Sequence, residues 1–158
     1  MSRYILCINF GSTSTKLALY DGDIKIASYN RTHTKDELAL FSCTNAQLPM
    51  RRECVLQFLK EQNIPVSSLA AISARAGVTP PIEFGAYTVN KCMVNRLLNA
   101  PLADHAMNLS AVVAYDLAQG LSIPVITYDS CTTDQMEPVY KISGIPEITR
   151  SASASKSG

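Results

Sequence analysis

The residues with the most chemistry in this chain form one short turn at 9–16, which reads Asn-Phe-Gly-Ser-Thr-Ser-Thr-Lys. Its run of Ser and Thr supplies hydroxyl and backbone N–H donors at the end of an apolar strand, which is what a phosphate oxygen requires. If a strand follows Gly11, the two-residue period places Ser12, Ser14 and Lys16 on one side. The turn is therefore either a phosphate cradle or a tight hairpin whose hydroxyls bond to nearby backbone.

Asn9 ends the strand that leads into this turn. An amide at that position can donate to one phosphate oxygen and accept from another group, and it can equally tie down the turn. Metal-dependent nucleases would need a carboxylate there, so a nuclease is disfavoured. The turn is also not a P-loop, because no glycine directly precedes Lys16, no Ser or Thr follows it, and the next segment is a strand.

Arg75 and Asp129 also follow apolar segments of strand length. The guanidinium suits a carboxylate or phosphate through paired hydrogen bonds, or a surface ion pair with a residue such as Glu83. The carboxylate suits a hydrated Mg²⁺ ion, the orientation of a nucleophile, or the cap of a turn. If these segments are parallel strands of one α/β sheet, a ligand is expected at the carboxyl ends of the strands. The shared placement of Asn9, Arg75 and Asp129 therefore predicts a site.

Three other side chains have reactive groups. His105 precedes a long predicted helix and is either a hydrogen-bonded structural group or a donor to a developing anion. We expect His33, in a polar loop, to be solvated, and Cys131 to be a small packed residue rather than a nucleophile. The cysteines and histidines do not have the spacing of a zinc site.

These side chains must be positioned by a sheet. Five apolar segments have the length and pattern of strands: 4–10, 15–20, 24–29, 69–74 and 123–128. Asp21-Gly22 is a strong hairpin signal, and residues 86–89 form an additional small strand. The order predicts an α/β domain with a mixed five-stranded sheet that opens with three antiparallel strands. Helical crossovers should make the later strands parallel to the first.

Four segments are predicted to be helices packed on this sheet: 35–41, 50–62, 91–99 and 108–119. The second has Val55, Phe58 and Leu59 at helical spacing. We expect Asn108 to be an N-cap and Gly120 to have a positive φ after the last helix. Residues 151–158, rich in Ser and Ala, are predicted to be a disordered tail.

Composition limits the classes of function. The 158 residues suffice for one domain with a core, and a net charge of +1 gives little support to nucleic-acid or membrane binding. The five cysteines form no CxxC pair, which favours a reduced, cytoplasmic protein. The apolar run at 4–10 is too short for a membrane span.

Several segments together resemble the acetate and butyrate kinases of the actin-like, Hsp70 and sugar kinase superfamily. The turn at 9–16 resembles the first phosphate motif of that family. The resemblance then continues through Pro-Pro-Ile-Glu at 80–83, Gly-Ala-Tyr-Thr-Val-Asn at 85–90, Asp-His-Ala-Met-Asn-Leu at 104–109, Ile-Pro-Val at 123–125 and Ile-Ser-Gly-Ile-Pro-Glu at 142–147. The segments are most similar to butyrate kinases.

This resemblance implies a ribonuclease H-like fold and the transfer of the ATP γ-phosphate to a short-chain fatty acid such as butyrate, with Mg²⁺ on the nucleotide. It assigns nucleotide phosphates to the hairpin through Asn9, Gly11, Ser12, Ser14 and Lys16. It further implies that Arg75 holds the acid's carboxylate or the phosphoryl group, that His105 stabilises charge, and that Asp129 positions the metal or the acceptor. Self-association is implied as well.

The resemblance spans about residues 4–150 and implies that residues 1–150 are the N-terminal domain of a two-domain kinase. We expect the second domain to be absent from this chain and residues 1–158 alone to be inactive. The alternative is a non-catalytic module that binds phosphate or a protein partner.

Overall fold

The sheet and its helices follow the predicted order. In this computed structural model the described residues are 3–99, 101–145 and 147–150, so the predicted tail lies outside them. The strands are β1 (Tyr4–Phe10), β2 (Ser14–Asp21), β3 (Ile24–Thr32), β4 (Leu69–Ala74), β5 (Ala86–Thr88) and β6 (Val125–Tyr128). The helices are α1 (Lys35–Ala39), α2 (Leu48–Glu61), α3 (Lys91–Asn99) and α4 (Asn108–Leu117). Short 3-10 turns occupy Thr44–Gln47, Val66–Ser68 and Pro138–Lys141.

All described strands form one mixed sheet in the order β3-β2-β1-β4-β6-β5. The first three are antiparallel neighbours, and β4 and β6 run parallel to β1, as the helical crossovers predict. The sheet has six strands, one more than predicted. The small strand β5 adds to the edge of the sheet because Tyr87 pairs antiparallel with Thr127 of β6.

One face of the sheet builds the core. Alternate residues of β1 (Leu6, Ile8 and Phe10) are almost fully buried, and Leu17 and Leu19 of β2 lie beside them. Helices α2 and α4 pack against this side and contact one another. Helix α4 is mostly apolar and is buried along most of its length, as expected for a helix covered on several sides.

Two turn glycines fit their sequence signals. Gly22 has a φ of 65° in the β2–β3 hairpin, and Gly120 has a φ of 73° beyond α4. The prediction of Asn108 as an N-cap is wrong. Met107 occupies that position, and the Asn108 side chain instead accepts from the Val78 N–H at 2.8 Å and donates to the Ala103 carbonyl at 2.8 Å. It joins two loops that local sequence does not place together.

Other features bear on the environment of the chain. All five cysteines are free. Within the described residues, no helix has the length and hydropathy needed to cross a membrane.

Candidate functional site

The carboxyl ends of the parallel strands β1, β4 and β6 open into one cleft. Its volume is about 430 Å³, and the residues that line it are Asn9, Ser73, Ala74, Arg75, Phe84, Tyr128, Asp129, Ser130, Cys131 and Thr133. The structure thus brings Asn9, Arg75 and Asp129 to one cavity from three separate stretches of sequence. They meet because parallel neighbours end at the same edge of a sheet.

The hairpin between β1 and β2 borders this cleft through Asn9, which pairs with Lys16 across the two strands. Ser14 and Lys16 lie on the face of β2 opposite buried Thr15, in agreement with the predicted period. Ser12 is exposed at the tip. The hairpin residues beyond Asn9 are not among those that line the cleft, so the hairpin adjoins the cleft through Asn9.

Gly11 is the tight point of the hairpin. Its N–H donates to the Ser14 carbonyl at 2.9 Å. A Cβ atom at this position would lie only 2.8 Å from the Ser14 hydroxyl oxygen. A side chain at position 11 would therefore displace the Ser14 hydroxyl, which the sequence analysis predicts to bind the ligand.

Arg75 extends from the end of β4 with its side chain exposed. Its backbone N–H donates to the Ile8 carbonyl at 2.9 Å, and the next residue, Ala76, is fully buried. The backbone is thus fixed on both sides of the guanidinium. Within the described residues Arg75 forms no ion pair, so the alternative of a bridge to Glu83 is not realised.

Asp129 is bound to the loop before β5. Its N–H donates to the Gly85 carbonyl at 3.2 Å, and its Oδ1 accepts from the Gly85 N–H at 3.1 Å. The residue has a φ of 42°, a left-handed conformation that only a few non-glycine types tolerate. The first bond fixes the backbone of Asp129 and the second holds one carboxylate oxygen, while the residue lines the cleft.

A group of hydroxyls that sequence reasoning missed lies behind Asp129. Ser130 Oγ is 2.8 Å from Thr132 Oγ1, and Thr79 Oγ1 is 2.7 Å from the latter and 3.2 Å from the former. Ser130 Oγ also donates to the Gly77 carbonyl at 3.3 Å. The group ties the loop after β6 to the loop after β4, so that Arg75 and Asp129 keep a fixed relation.

His105 is half-buried and lies outside the set of residues that line the cleft. Its Nδ1 accepts from the Met107 N–H at 3.0 Å, which leaves the ring proton of the neutral form on Nε2. Met107 Sδ is 3.6 Å from Cys131 Sγ in the cleft wall. The structure therefore places His105 in a neighbouring loop and not at the centre of the cavity.

The second residue that sequence reasoning missed is Arg51 of α2. This guanidinium is 0% exposed and lies beneath the hairpin, where it donates to several of its carbonyl groups. Burial lowers the pKa of Arg51 from its usual value. The helical spacing was a usable signal, since Arg51 lies one turn before Val55 on the buried face of α2.

The expectation that His33 is solvated is wrong. It is 2% exposed and its backbone N–H donates to the Thr13 carbonyl at 2.8 Å. Its Nε2 is 2.9 Å from Thr15 Oγ1, and its Nδ1 faces Glu37 Oε2 at 3.4 Å. Burial, assisted by the charge of Arg51, lowers the pKa of His33. His33, which directly follows β3, therefore packs against the hairpin and bonds to Thr13 and Thr15.

Metal ligation in this cleft would depend on few protein groups. No cluster of three or more His, Cys, Asp or Glu side chains suited to a metal occurs among the residues that the structure describes. Among the described residues, Asp129 is the one carboxylate that lines the cleft. A hard cation here would need oxygens from a ligand and from water to complete its shell.

Comparison with known proteins identifies similar sequences. No family model matches the chain. The chain is 41% identical over 146 residues to a probable butyrate kinase of Thermotoga petrophila, which covers 92% of this chain and 41% of that protein. It is 35% identical over 150 residues to a probable butyrate kinase of Clostridium botulinum, which covers 95% of this chain and 42% of that protein. The chain thus spans about two fifths of these relatives' length.

Solved structures show a similar fold at low sequence identity. The acetate kinase of Entamoeba histolytica superposes with a TM-score of 0.60 at 14% identity over 91% of this chain and 39% of its own. A propionate kinase of Francisella tularensis superposes with a TM-score of 0.55 at 16% identity over 92% of this chain and 41% of its own. The fold of this chain is therefore shared with both.

Proposed function

The chain belongs to the acetate and butyrate kinase family and has its ribonuclease H-like, actin-like ATPase fold, and from this premise we propose that it carries the phosphate-binding half of a butyrate kinase cleft. The reaction is the ATP-dependent phosphorylation of a short-chain fatty acid, which gives an acyl phosphate and ADP. The observation that carries the proposal is the convergence of Asn9, Arg75 and Asp129 on one cleft.

Phosphoryl transfer depends on alignment and charge more than on covalent help from the protein. Arg75 is an exposed cation on a rigid backbone at the cleft, so it would bind the carboxylate of the acid or the oxygens of the transferred group. Asn9 would donate its amide to an oxygen beside it. Ser12, Ser14 and Lys16 would bind the nucleotide phosphates beside the cleft, with Gly11 allowing the chain to turn tightly.

Asp129 would hold Mg²⁺ or orient the acceptor. The residues present fit this ion, because Mg²⁺ retains several waters and is satisfied by one or two carboxylates plus substrate phosphates. Gly85 holds Oδ1 by a hydrogen bond, which fixes the direction of the carboxylate. The ion would neutralise phosphate charge as the transferred group moves.

His105 would act from the edge of the site. Its Nδ1 accepts a backbone hydrogen bond, so the ring presents Nε2–H as a donor. A donor of this kind suits charge that develops on a phosphoryl oxygen. We assign it this supporting role, because it is not among the cleft-lining residues.

The test has two parts. The protein expressed from the reading frame that contains this chain is incubated with ATP, Mg²⁺ and butyrate, and acyl phosphate is trapped with hydroxylamine. We expect hydroxamate to form, with acetate and propionate as comparison acids.

In the second part, residues 1–158 are titrated with pyrophosphate, which has the oxygens and charge of the terminal phosphates without the nucleoside. We expect Arg75→Gln to weaken this binding by about tenfold, the effect of one charged hydrogen bond.

Arg96→Gln is the matched control, because Arg96 is also an exposed arginine, lies on α3 and is not among the residues that line the cleft. We expect it to bind as the wild type does. If the two variants bind pyrophosphate equally well, the cleft is not the phosphate site. Phosphate binding without hydroxamate from the expressed protein would instead identify a non-catalytic binding module.

A further inference from the structure

Among the residues that the structure describes, the largest fully buried side chain is a cation, Arg51. Its Nη1 donates to the Ser14 carbonyl at 2.6 Å and to Thr15 Oγ1 at 3.1 Å. Its Nη2 donates to the carbonyls of Gly11 at 3.1 Å and Ser12 at 3.2 Å. Its remaining contacts are Gln47 Oε1, at 3.1 Å from Nη2 and 3.4 Å from Nε, and the ring of Phe10.

These bonds determine the orientation of the hairpin peptides. A planar trans peptide points its C=O and its N–H in opposite directions, and the described peptides contain no cis bond. Because the Gly11 carbonyl turns inward to Arg51, the N–H of Ser12 turns away from it, and the inward Ser12 carbonyl does the same for the N–H of Thr13. Within the described residues neither of these two N–H groups has a protein acceptor.

The next carbonyl is also directed inward, since the Thr13 carbonyl accepts from the His33 N–H. Every carbonyl from Gly11 to Ser14 therefore has a donor within the protein. The tip of the hairpin is left with backbone donors, and the exposed residues Ser12 and Thr13 add their hydroxyls. Successive free N–H groups of this kind form an anion-binding nest.

The charge beneath the hairpin has the right sign. Within the described residues Arg51 forms no ion pair; Glu37 pairs with Arg31 and lies beside His33. The hydrogen-bond acceptors of the guanidinium are all neutral groups, and its positive charge persists in a region of low dielectric. An anion on the opposite side of the loop would reduce the cost of this buried cation.

We propose that Arg51 is the positioning residue of the phosphate hairpin: it holds the Gly11 and Ser12 carbonyls inward and thereby directs the Ser12 and Thr13 N–H groups toward a bound phosphate. Arg51 itself does not touch the ligand. The inference rests on the proposed function, because it assumes that the hairpin binds phosphate.

The experiment is a pyrophosphate titration of ¹⁵N-labelled residues 1–158, followed by the amide resonances of Ser12 and Thr13. In the wild type we expect both to shift downfield as the N–H groups bond to the anion. Arg51→Lys keeps the charge but loses the planar fork that reaches three carbonyls. In its folded form we expect about tenfold weaker affinity and the loss of both shifts, the effect of misaligned charged hydrogen bonds.

A purely structural role for Arg51 predicts a different result. Arg51→Lys would then melt at a lower temperature, yet its folded fraction would bind pyrophosphate with wild-type affinity and unchanged amide shifts, and the inference would be overturned. Arg51→Ala adds a second readout, because millimolar guanidinium should restore binding whereas equal sodium chloride should not.

A further variant covers the case in which substitutions of Arg51 do not fold. Gln47→Ala removes the side chain that orients the guanidinium and leaves the charge in place. We expect the affinity for pyrophosphate to be about two to fivefold weaker, with smaller amide shifts, which is the effect of one neutral hydrogen bond. Unchanged values would overturn the inference.

If the wild type itself does not bind pyrophosphate, the proposed function fails first. If it binds and depends on Arg75 but not on Arg51 or Gln47, only the present inference fails.

Discussion

Gly77 is the position at which one added methyl group should do the most damage near the cleft. A Cβ atom there would lie 2.4 Å from Asn108 Oδ1, 2.6 Å from Leu97 Cδ2 and 2.7 Å from Asn108 Cα. The last of these is a backbone atom of helix α4, so rotation of a side chain cannot relieve the clash. Gly77→Ala must therefore separate the loop after β4 from the helix.

The cost can be worked out from the contacts that this separation breaks. Overpacking alone costs about 1–3 kcal/mol. Asn108 Oδ1 would also lose the Val78 N–H, and an unsatisfied buried group adds about 1–3 kcal/mol. The lower chain entropy of alanine in the unfolded state returns about 0.4–1 kcal/mol. We expect a net loss of about 3 kcal/mol, which corresponds to a melting temperature lower by about 6–12 °C for a chain of this size.

Urea unfolding followed by circular dichroism measures the free energy of unfolding, and Gly144→Ala is the matched control. A Cβ atom at Gly144 meets nothing within 4 Å. That variant should remain within about 0.5 kcal/mol of the wild type. The reasoning is refuted if Gly77→Ala costs no more than Gly144→Ala, since the close approach of loop and helix would then not exist in solution.

Three further predictions concern the hairpin support and the cleft. Because burial and the charge of Arg51 lower the pKa of His33, the unfolded chain binds the proton first. As the pH is lowered past about 6.5, the free energy of unfolding should therefore decrease, by up to about 1.4 kcal/mol per pH unit. Urea unfolding between about pH 7.5 and pH 5 measures this slope, and His33→Gln should flatten it. Equal slopes for the variant and the wild type would contradict the prediction. Asp129→Asn keeps an acceptor for the Gly85 N–H, so its free energy of unfolding should lie within about 0.5 kcal/mol of the wild-type value. In pyrophosphate titrations, however, the affinity of this variant should no longer depend on Mg²⁺. A retained dependence would place the ion elsewhere. Thr79→Val should cost about 1–3 kcal/mol in urea unfolding, because it removes the hydrogen bonds of the Thr79 hydroxyl to Ser130 and Thr132. Thr79→Ser should restore most of this loss; a neutral valine variant would show that the hydroxyl group carries no stability.

Features with a local cause were predictable from the sequence. The alternation of Thr15, Leu17 and Leu19 reports which face of β2 is buried, since the period of a strand is a property of its backbone. The turn residues Gly22 and Gly120 mark positive φ for the same reason. Strand-end placement of polar groups then located the cleft, because parallel topology brings those ends together.

Features with a distant cause were not predictable in this way. Asn108 has the residue type and position of an N-cap, yet its amide bonds to Val78, 30 residues earlier in the chain, and to Ala103, 5 residues earlier. His33 looks solvated until the Thr13 carbonyl and Thr15 hydroxyl are placed beside it. The helical spacing places Arg51 on the buried face of α2, but its partners are groups 36–40 residues away, so only the folded chain shows what it binds.

The left-handed backbone of Asp129 has a consequence for how this chain would respond to selection. Glycine would adopt a φ of 42° with less strain, and such strain costs about 1–3 kcal/mol in non-glycine residues, although Asp tolerates it better than most. A laboratory search for thermostable variants would therefore be drawn toward Asp129→Gly, which exchanges the carboxylate of the cleft for a relaxed turn. Screening by heat alone would erode the chemistry of this chain, and a library at position 129 should be ranked by ligand affinity together with melting temperature.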